Sequence, residues 1–363
     1  AAFAGSAMVA LALVAFRRAS GWPAELPEWG WFVFVLGVDV AHVYATLFRT
    51  YLDRTEIARH PARYFGVPVA VYGAMVGLHL VSGQTFFRVL SYLAVVHFVR
   101  QQVGWVALYR GRAGSRRLDK VIDDAAVYAA TGYPLLYWHA HLDEKRFSWL
   151  IQGDFLDVTA LAQRWQGRAR FVWLAALAAF AARQLFVAAN ERRLALGKIA
   201  VVATTAITWY VGIVGSTGDF DFTVTNVLTH GVPYMVLLFS YGKAAERAGQ
   251  RSLGTTILAS GALAFVALLV TCALTEEAGW DRLVWHDHEW LYGGTDVTLA
   301  RWTAALVIPL LALPQAVHYV LDGILWRRSE PALRSLGDWL PRPELARRRR
   351  SEAGRIPYSV RNT

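Results

Sequence analysis

Apolar runs of about 20 residues recur along the whole chain, and that repetition decides its fold class before any motif is considered. Wound as a helix at about 1.5 Å per residue, such a run matches the hydrocarbon core of a bilayer. Inside lipid every backbone N–H and C=O must find a partner within the protein, so a spanning chain is helical or a closed barrel. Continuous apolar runs, without the period-two alternation of barrel strands, select the helix. The runs fall at 1–16, 31–51, 64–82, 86–109, 121–142, 169–190, 197–215, 221–241, 254–274 and 300–326. The predicted architecture is an all-α polytopic integral membrane bundle of about ten transmembrane helices over 1–328, followed by a basic C-terminal tail over 329–363. The segment 121–142 fits least well, because Asp123 and Asp124 lie in its first turn and Gly132-Tyr133-Pro134 interrupts it.

Charged residues make up only 18% of the 363 positions and hydrophobic ones 55%, against about 25% charged in soluble domains. No soluble domain of useful size is expected. A single cysteine, Cys272, excludes an intrachain disulfide framework and a cysteine-held zinc or iron–sulfur site. The net charge of +10 sits mostly at helix ends and in the run Arg347 to Arg350. It reads as a topology signal and as contact with anionic lipids at the basic loops, without nucleic acid as a partner. Ala1 to Phe16 carry no basic stretch ahead of their apolar run, so a cleaved signal peptide is not expected.

Basic connections at 52–63, 110–120, 191–198 and 243–253 alternate with neutral or acidic ones at 82–85, 216–221 and 275–297. The positive-inside rule then places both termini in the cytoplasm, in a multi-pass protein of a bacterial-type inner membrane. Arg17-Arg18 and the mixed-charge segment 143–168 are exceptions, falling outside. The segment 143–168, with Trp149, Phe155, Leu156 and Trp165, reads as an amphipathic piece lying on the outer interface. The tail from Glu330 to Thr363 reads as a cytoplasmic helix with a flexible end.

Four histidines fall in the middle or inner third of four separate spans: His42, His97, His230 and His318. Each has a polar residue three or four positions away, on the same helix face: Asp39, Gln101, Asn226 and Asp322. A polar group inside a spanning helix costs a few kcal/mol, and such residues mark functional sites by default. Imidazoles with one or two carboxylates suit Fe, Zn, Mn or Cu. The expected metal ligands are His42, His97, His230 and His318, with Asp39 and Asp322 as further ligands or as carboxylates orienting a ligating ring. Gln101, Tyr44 and Tyr234 are candidates for contacts with substrate or with oxygen at the metal. Haem held by two of the histidines, or a proton path built from the same residues, are the competing uses. At the outer surface, His139 and His141, with His286 and His288, either form a second metal cluster or belong to the interfacial aromatic belt.

Several membrane families fail on their motifs. Fatty-acid desaturase boxes (HxxxH, HxxHH) are absent, and no span interior holds the lysine a retinal protein needs. The order Asp39/His42, His97-Phe98 with Gln101, His230, and Pro314/His318 resembles that of the Brp/Blh family of bacterial membrane carotene dioxygenases. Three departures stand: Asn226/His230 replaces an HxxxH pair, the aspartate precedes the first histidine instead of following it, and there are more spans than the family leads one to expect. The resemblance implies non-haem iron, oxygen and an apolar polyene or lipid-like substrate. The expected function is therefore a membrane metal-dependent oxidoreductase or dioxygenase, with a mononuclear or dinuclear non-haem iron site. Zinc with a lipid hydrolase activity is the first alternative, and a proton-coupled transporter or the membrane subunit of a larger complex is the second.

Overall fold

The computed structural model describes residues 2–112, 117–191, 194–294 and 297–325; the tail 329–363 lies outside the described residues. Among the described residues every regular element is helical and no strand occurs. The long helices are α1 (Ala2–Ser20), α2 (Glu28–Arg49), α3 (Ala62–Val81), α4 (Gly83–Arg112), α5 (Arg117–Ala140), α6 (Thr159–Glu191), α7 (Leu196–Val214), α8 (Asp219–Arg247), α9 (Ala262–Trp285), α10 (Arg301–Leu311) and α11 (Leu313–Leu325). Seven of them, α1, α2, α3, α6, α7, α8 and α9, are long and apolar enough to cross a membrane, and there are eight such spans if α10 and α11, bent by 44°, count as one broken span. This is a multi-pass helical membrane architecture.

The expected spans at 86–109 and 121–142 are continuous helices, α4 and α5, but they carry more charge than the others. Much of it is neutralised inside the bundle. Arg110 meets Asp124 at 2.9 Å and Asp123 at 3.5 Å, Lys198 meets Asp123 at 3.0 Å, and Arg183 meets Asp119 at 2.6 Å. Pro134, expected to interrupt its segment, lies within unbroken α5.

Two boundaries differ from the sequence reading. The run 254–274 is split: Leu253–Ala259 is a short separate helix, Gly261 turns the chain at φ +102°, and α9 continues to Trp285. Glu276, Glu277 and Asp281, expected in an outer loop, therefore lie on the helix, where Glu276 accepts a hydrogen bond from Tyr44 at 2.6 Å. The segment 143–168, expected to lie on the outer interface, divides into two unlike halves. Its first half is irregular and folds inward, burying Phe155 and packing Trp149 against Phe98 at 5.0 Å. Its second half begins α6 and leaves Trp165 exposed. Asp154 holds the inward loop by accepting from the Leu150 amide and the Ser91 hydroxyl.

Connections gather at the two ends of the bundle. At one end, Arg17 and Arg18 converge on Asp221 at 2.7 and 2.8 Å, and the Leu26 amide donates to Asp219. At that end too, Arg146 donates its amide to the Thr217 carbonyl, and Gln84 reaches the Gly153 carbonyl. At the other end, the Gly254 amide donates to the Leu52 carbonyl, and Lys198 meets Asp123. The two arginines that broke the charge alternation thus share one carboxylate, which offsets one of their two charges.

Helix α8 is the centre of the bundle: 72% of its apolar window is buried, against 11% for α3 and α6. Several of its polar side chains bond back to the helix itself. Thr225 and Thr229 donate to carbonyls four residues back at 2.7 Å, and the Asn226 amide does so at 3.0 Å. Gly231 lets α2 approach closely, since a Cβ there would sit 2.8 Å from Val38 Cγ1 and 3.1 Å from its carbonyl oxygen.

Two outcomes follow from this packing. Gly231→Ala should lower the thermal midpoint of the purified protein in detergent, by overpacking of about 1–3 kcal/mol. Gly132→Ala, where a Cβ meets nothing within 4 Å, should not. Separately, Lys145 in the inward loop donates to the carbonyls of Ile213 and Ser216, and burial pushes its amine from the usual 10.5 down to about 8. Between those two values the unfolded chain binds more protons than the folded one, so this group makes stability rise with pH there. Denaturation midpoints taken across that window should rise less in Lys145→Met than in the wild type.

Candidate metal centre

Four helices bring the four histidines to one point. His42 stands on α2, two residues after a π-helical stretch (Trp31–Val40) that widens the turns leading to it. His97 lies in the middle of α4, His230 on α8 beside Gly231, and His318 on α11. All four are at most 7% exposed. Their rings form a closed cycle, each edge-on to two neighbours. Centroid distances are 4.7 Å for His42–His230, 5.1 Å for His230–His97, 4.6 Å for His97–His318 and 5.1 Å for His318–His42.

The nitrogens inside this cycle are spaced like metal ligands. His42 Nε2 and His230 Nε2 are 3.1 Å apart, and one nitrogen from each of the four rings lies within 4.8 Å of the others. The midpoint of a 4.8 Å separation is 2.4 Å from each end, a few tenths of an ångström beyond a metal–imidazole bond of about 2.0–2.1 Å. A small contraction of the ring would therefore seat one ion. His97 Nε2 and His318 Nε2 have no hydrogen-bond partner, an expensive state for buried nitrogens unless something binds between them.

The tautomer of His318 follows from its neighbours. Tyr234 donates its only hydroxyl proton to Asp322 at 2.6 Å. Thr46, 2.8 Å from that hydroxyl, must then be the donor to Tyr234. With its own proton used, Thr46 can only accept from His318 Nδ1, 2.7 Å away. The imidazole therefore carries its proton on Nδ1 and turns the Nε2 lone pair to the centre. A carboxylate at the end of such a chain fixes ring orientation and raises ligand basicity.

Both expected carboxylates stand behind histidines. Asp322 Oδ1 is 3.8 Å from His318 Nδ1, and Asp39 Oδ1 is 3.8 Å from His42 Nδ1. Neither belongs to the group of converging ligand atoms among the described residues. Asp39 retains 31% of its side-chain surface while His42 retains 2%. Gln101 lies one turn beyond His97, and its amide has no hydrogen-bond partner. Tyr44 is turned away to Glu276. Asn226 donates to its own helix, leaving Oδ1 unpartnered.

Thr46 and Tyr319 escaped the sequence reading, and Phe98 entered it only as the neighbour of His97. Thr46 lies four residues after His42, a spacing that could have revealed it. Tyr319 stacks on His97 at 4.7 Å, and Phe98 lies flat on His230 at 3.5 Å with the planes 8° apart. No periodicity announces these aromatic contacts, because they join different helices. The outer histidines do not converge as ligands. His139 meets the Tyr92 hydroxyl at 2.9 Å, and His141 caps the Tyr137 carbonyl. His288 stacks on Trp31 at 3.6 Å beside Asp281, and His286 adopts a left-handed backbone at φ 59°. The chain matches no protein-family model, no curated protein and no solved structure.

Thr46→Val removes the middle of the hydrogen-bond chain with little change of volume. It should weaken metal retention about 10–100-fold, read as metal remaining after dialysis against a chelator, with helical content unchanged. Retention equal to wild type would show that the chain does not orient a ligand.

Proposed function

We propose that this chain is a metal-dependent oxidoreductase of a bacterial-type inner membrane, acting on a hydrophobic lipid- or polyene-like substrate that arrives laterally from the bilayer. The observation that carries the reading is the closed cycle of four buried imidazoles, one locked by Thr46, Tyr234 and Asp322 into the tautomer a metal requires. His42, His97, His230 and His318 would hold a single non-haem iron. The converging group offers four ligand atoms and no bridging carboxylate, which favours one ion over two. Bound there, iron would supply redox chemistry with dioxygen as the oxidant.

The surroundings favour an apolar substrate. Phe98 and Tyr319 lay aromatic faces on His230 and His97, and Trp149 packs edge-on against Phe98. Zinc hydrolysis needs a base beside a metal-bound water. Asp39 and Asp322 both lie on the Nδ1 side of their histidines, and so offer none. Tyr234 spends its proton on Asp322 and serves as a positioning residue, and Asp39 stands behind His42 as Asp322 stands behind His318.

Ten crossings with both termini in the cytoplasm complete the proposal. Supporting it, the 82–85 turn meets Gly153 at the end of the bundle that holds Arg17 and Asp221, while Arg110, at the far end of α4, meets the charges at the other. Helices α4 and α5 then cross alongside the apolar eight.

The test is metal content per purified chain by inductively coupled plasma mass spectrometry, wild type beside His97→Ala, His42→Ala and His318→Ala. About one iron per chain is expected, reduced at least about tenfold in each variant, with oxygen uptake on adding polyenes. His286→Ala should keep its metal. Zinc in place of iron would turn the assignment to hydrolysis, and metal-free wild type with proton-coupled flux would assign a transporter.

A further inference from the structure

Away from the histidines, a cavity of about 460 Å³ opens between the end of α5, the start of α6 and the π-helical turn Tyr210–Val214 that ends α7. Its walls carry Tyr133, Tyr137, Tyr210, Arg170, Gln163 and Gln166. None of the three tyrosine hydroxyls meets a hydrogen-bond partner among the described residues, and Arg170 forms no ion pair there. The tyrosine rings are nonetheless held in place. Tyr133 and Tyr210 both stack on Trp173, at 5.2 and 5.4 Å, and Tyr137 stacks on His141 at 4.0 Å. Gln163 is anchored by its amide to the Ala140 carbonyl at 3.0 Å, which leaves Gln166 as the free amide. Stacked tyrosines and a guanidinium lining one cavity suit a singly charged, oxygen-rich anion.

The depth of the cavity identifies the source of that anion. On α6 the polar stretch Gln163 to Arg170 gives way at Phe171 to a long apolar run, so the cavity lies at the level of lipid headgroups. Arg168 lies over the Trp165 ring at 4.8 Å, an arrangement expected at the membrane interface. Immediately past the rim, Phe171, Val172 and Leu174 are 73%, 59% and 50% exposed, an apolar track on which acyl chains can lie. A Cβ at Gly167 would meet nothing within 4 Å, so the α6 side of the mouth is open.

We propose that this cavity binds the phosphodiester headgroup of a membrane phospholipid, with Arg170 paired to the phosphate, Tyr133, Tyr137, Tyr210 and Gln166 donating to its oxygens, and the acyl chains along Phe171, Val172 and Leu174. The site is separate from the basic connections 110–120 and 243–253, and does not depend on the metal reading.

The full-length chain, purified in detergent and stripped of lipid, would be titrated with phosphatidylglycerol and followed by native mass spectrometry. One tightly held lipid is expected. Arg170→Gln, which breaks no ion pair, and Tyr210→Phe, which keeps the ring that stacks on Trp173, should each weaken that lipid by about tenfold. Arg251→Gln, in a basic connection, should leave it unchanged. Undiminished affinity in both cavity variants would overturn the proposal. So would displacement of the lipid by equimolar inorganic phosphate, which would assign the cavity to a soluble anion.

Discussion

The chain of hydrogen bonds from His318 through Thr46 and Tyr234 to Asp322 ties together helices α2, α8 and α11, and the geometry of the imidazole ring depends on it. In water such a chain would be one arrangement among many. In a bundle surrounded by lipid there is no solvent to offer alternative partners, so the donors and acceptors of the chain must satisfy one another. The direction of the whole chain is set by the carboxylate at its end. Other polar residues near the centre obey the same rule by a shorter route, the threonines and Asn226 of α8 bonding back to their own helix. Close packing at Gly231 then lets α2 bring His42 to His230.

The fold class was legible in the sequence because apolar run length is a property of single segments. The charges that set the alternation of connections were equally plain, and the two arginines that broke it, Arg17 and Arg18, became intelligible once Asp221 was placed against them. The end of α9 was misread because Glu276, Glu277 and Asp281 look like loop residues in one dimension. In the bundle Glu276 is bonded to Tyr44 and Trp280, and Asp281 caps the amides of Asp287 and His288. Trp149 and Phe155 were misread in the opposite sense. Their amphipathic composition suits an interface, yet they fill the space between α4, α5 and α7.

Of the candidate site, the four histidines were visible because each interrupts an apolar segment at similar depth, and a polar residue there is costly enough to be informative. The sequence left open whether Asp39 and Asp322 were ligands or supports, since a spacing of three or four residues fits both. Only the ring orientation separates them, and it puts both carboxylates on the Nδ1 side. Thr46 was missed because a threonine in a helix is unremarkable until its partners on α8 and α11 are known.

The four imidazoles lie at positions 42, 97, 230 and 318 of the chain, on helices that enter the membrane at different times during synthesis. Three can be in place long before the fourth, because α11 follows every other ligand-bearing helix. A nascent chain halted anywhere before α11 presents three of the four imidazoles. If the ring holds a metal as proposed, tight loading would wait until α11 is in place, and occupancy would report that the polypeptide has been inserted that far.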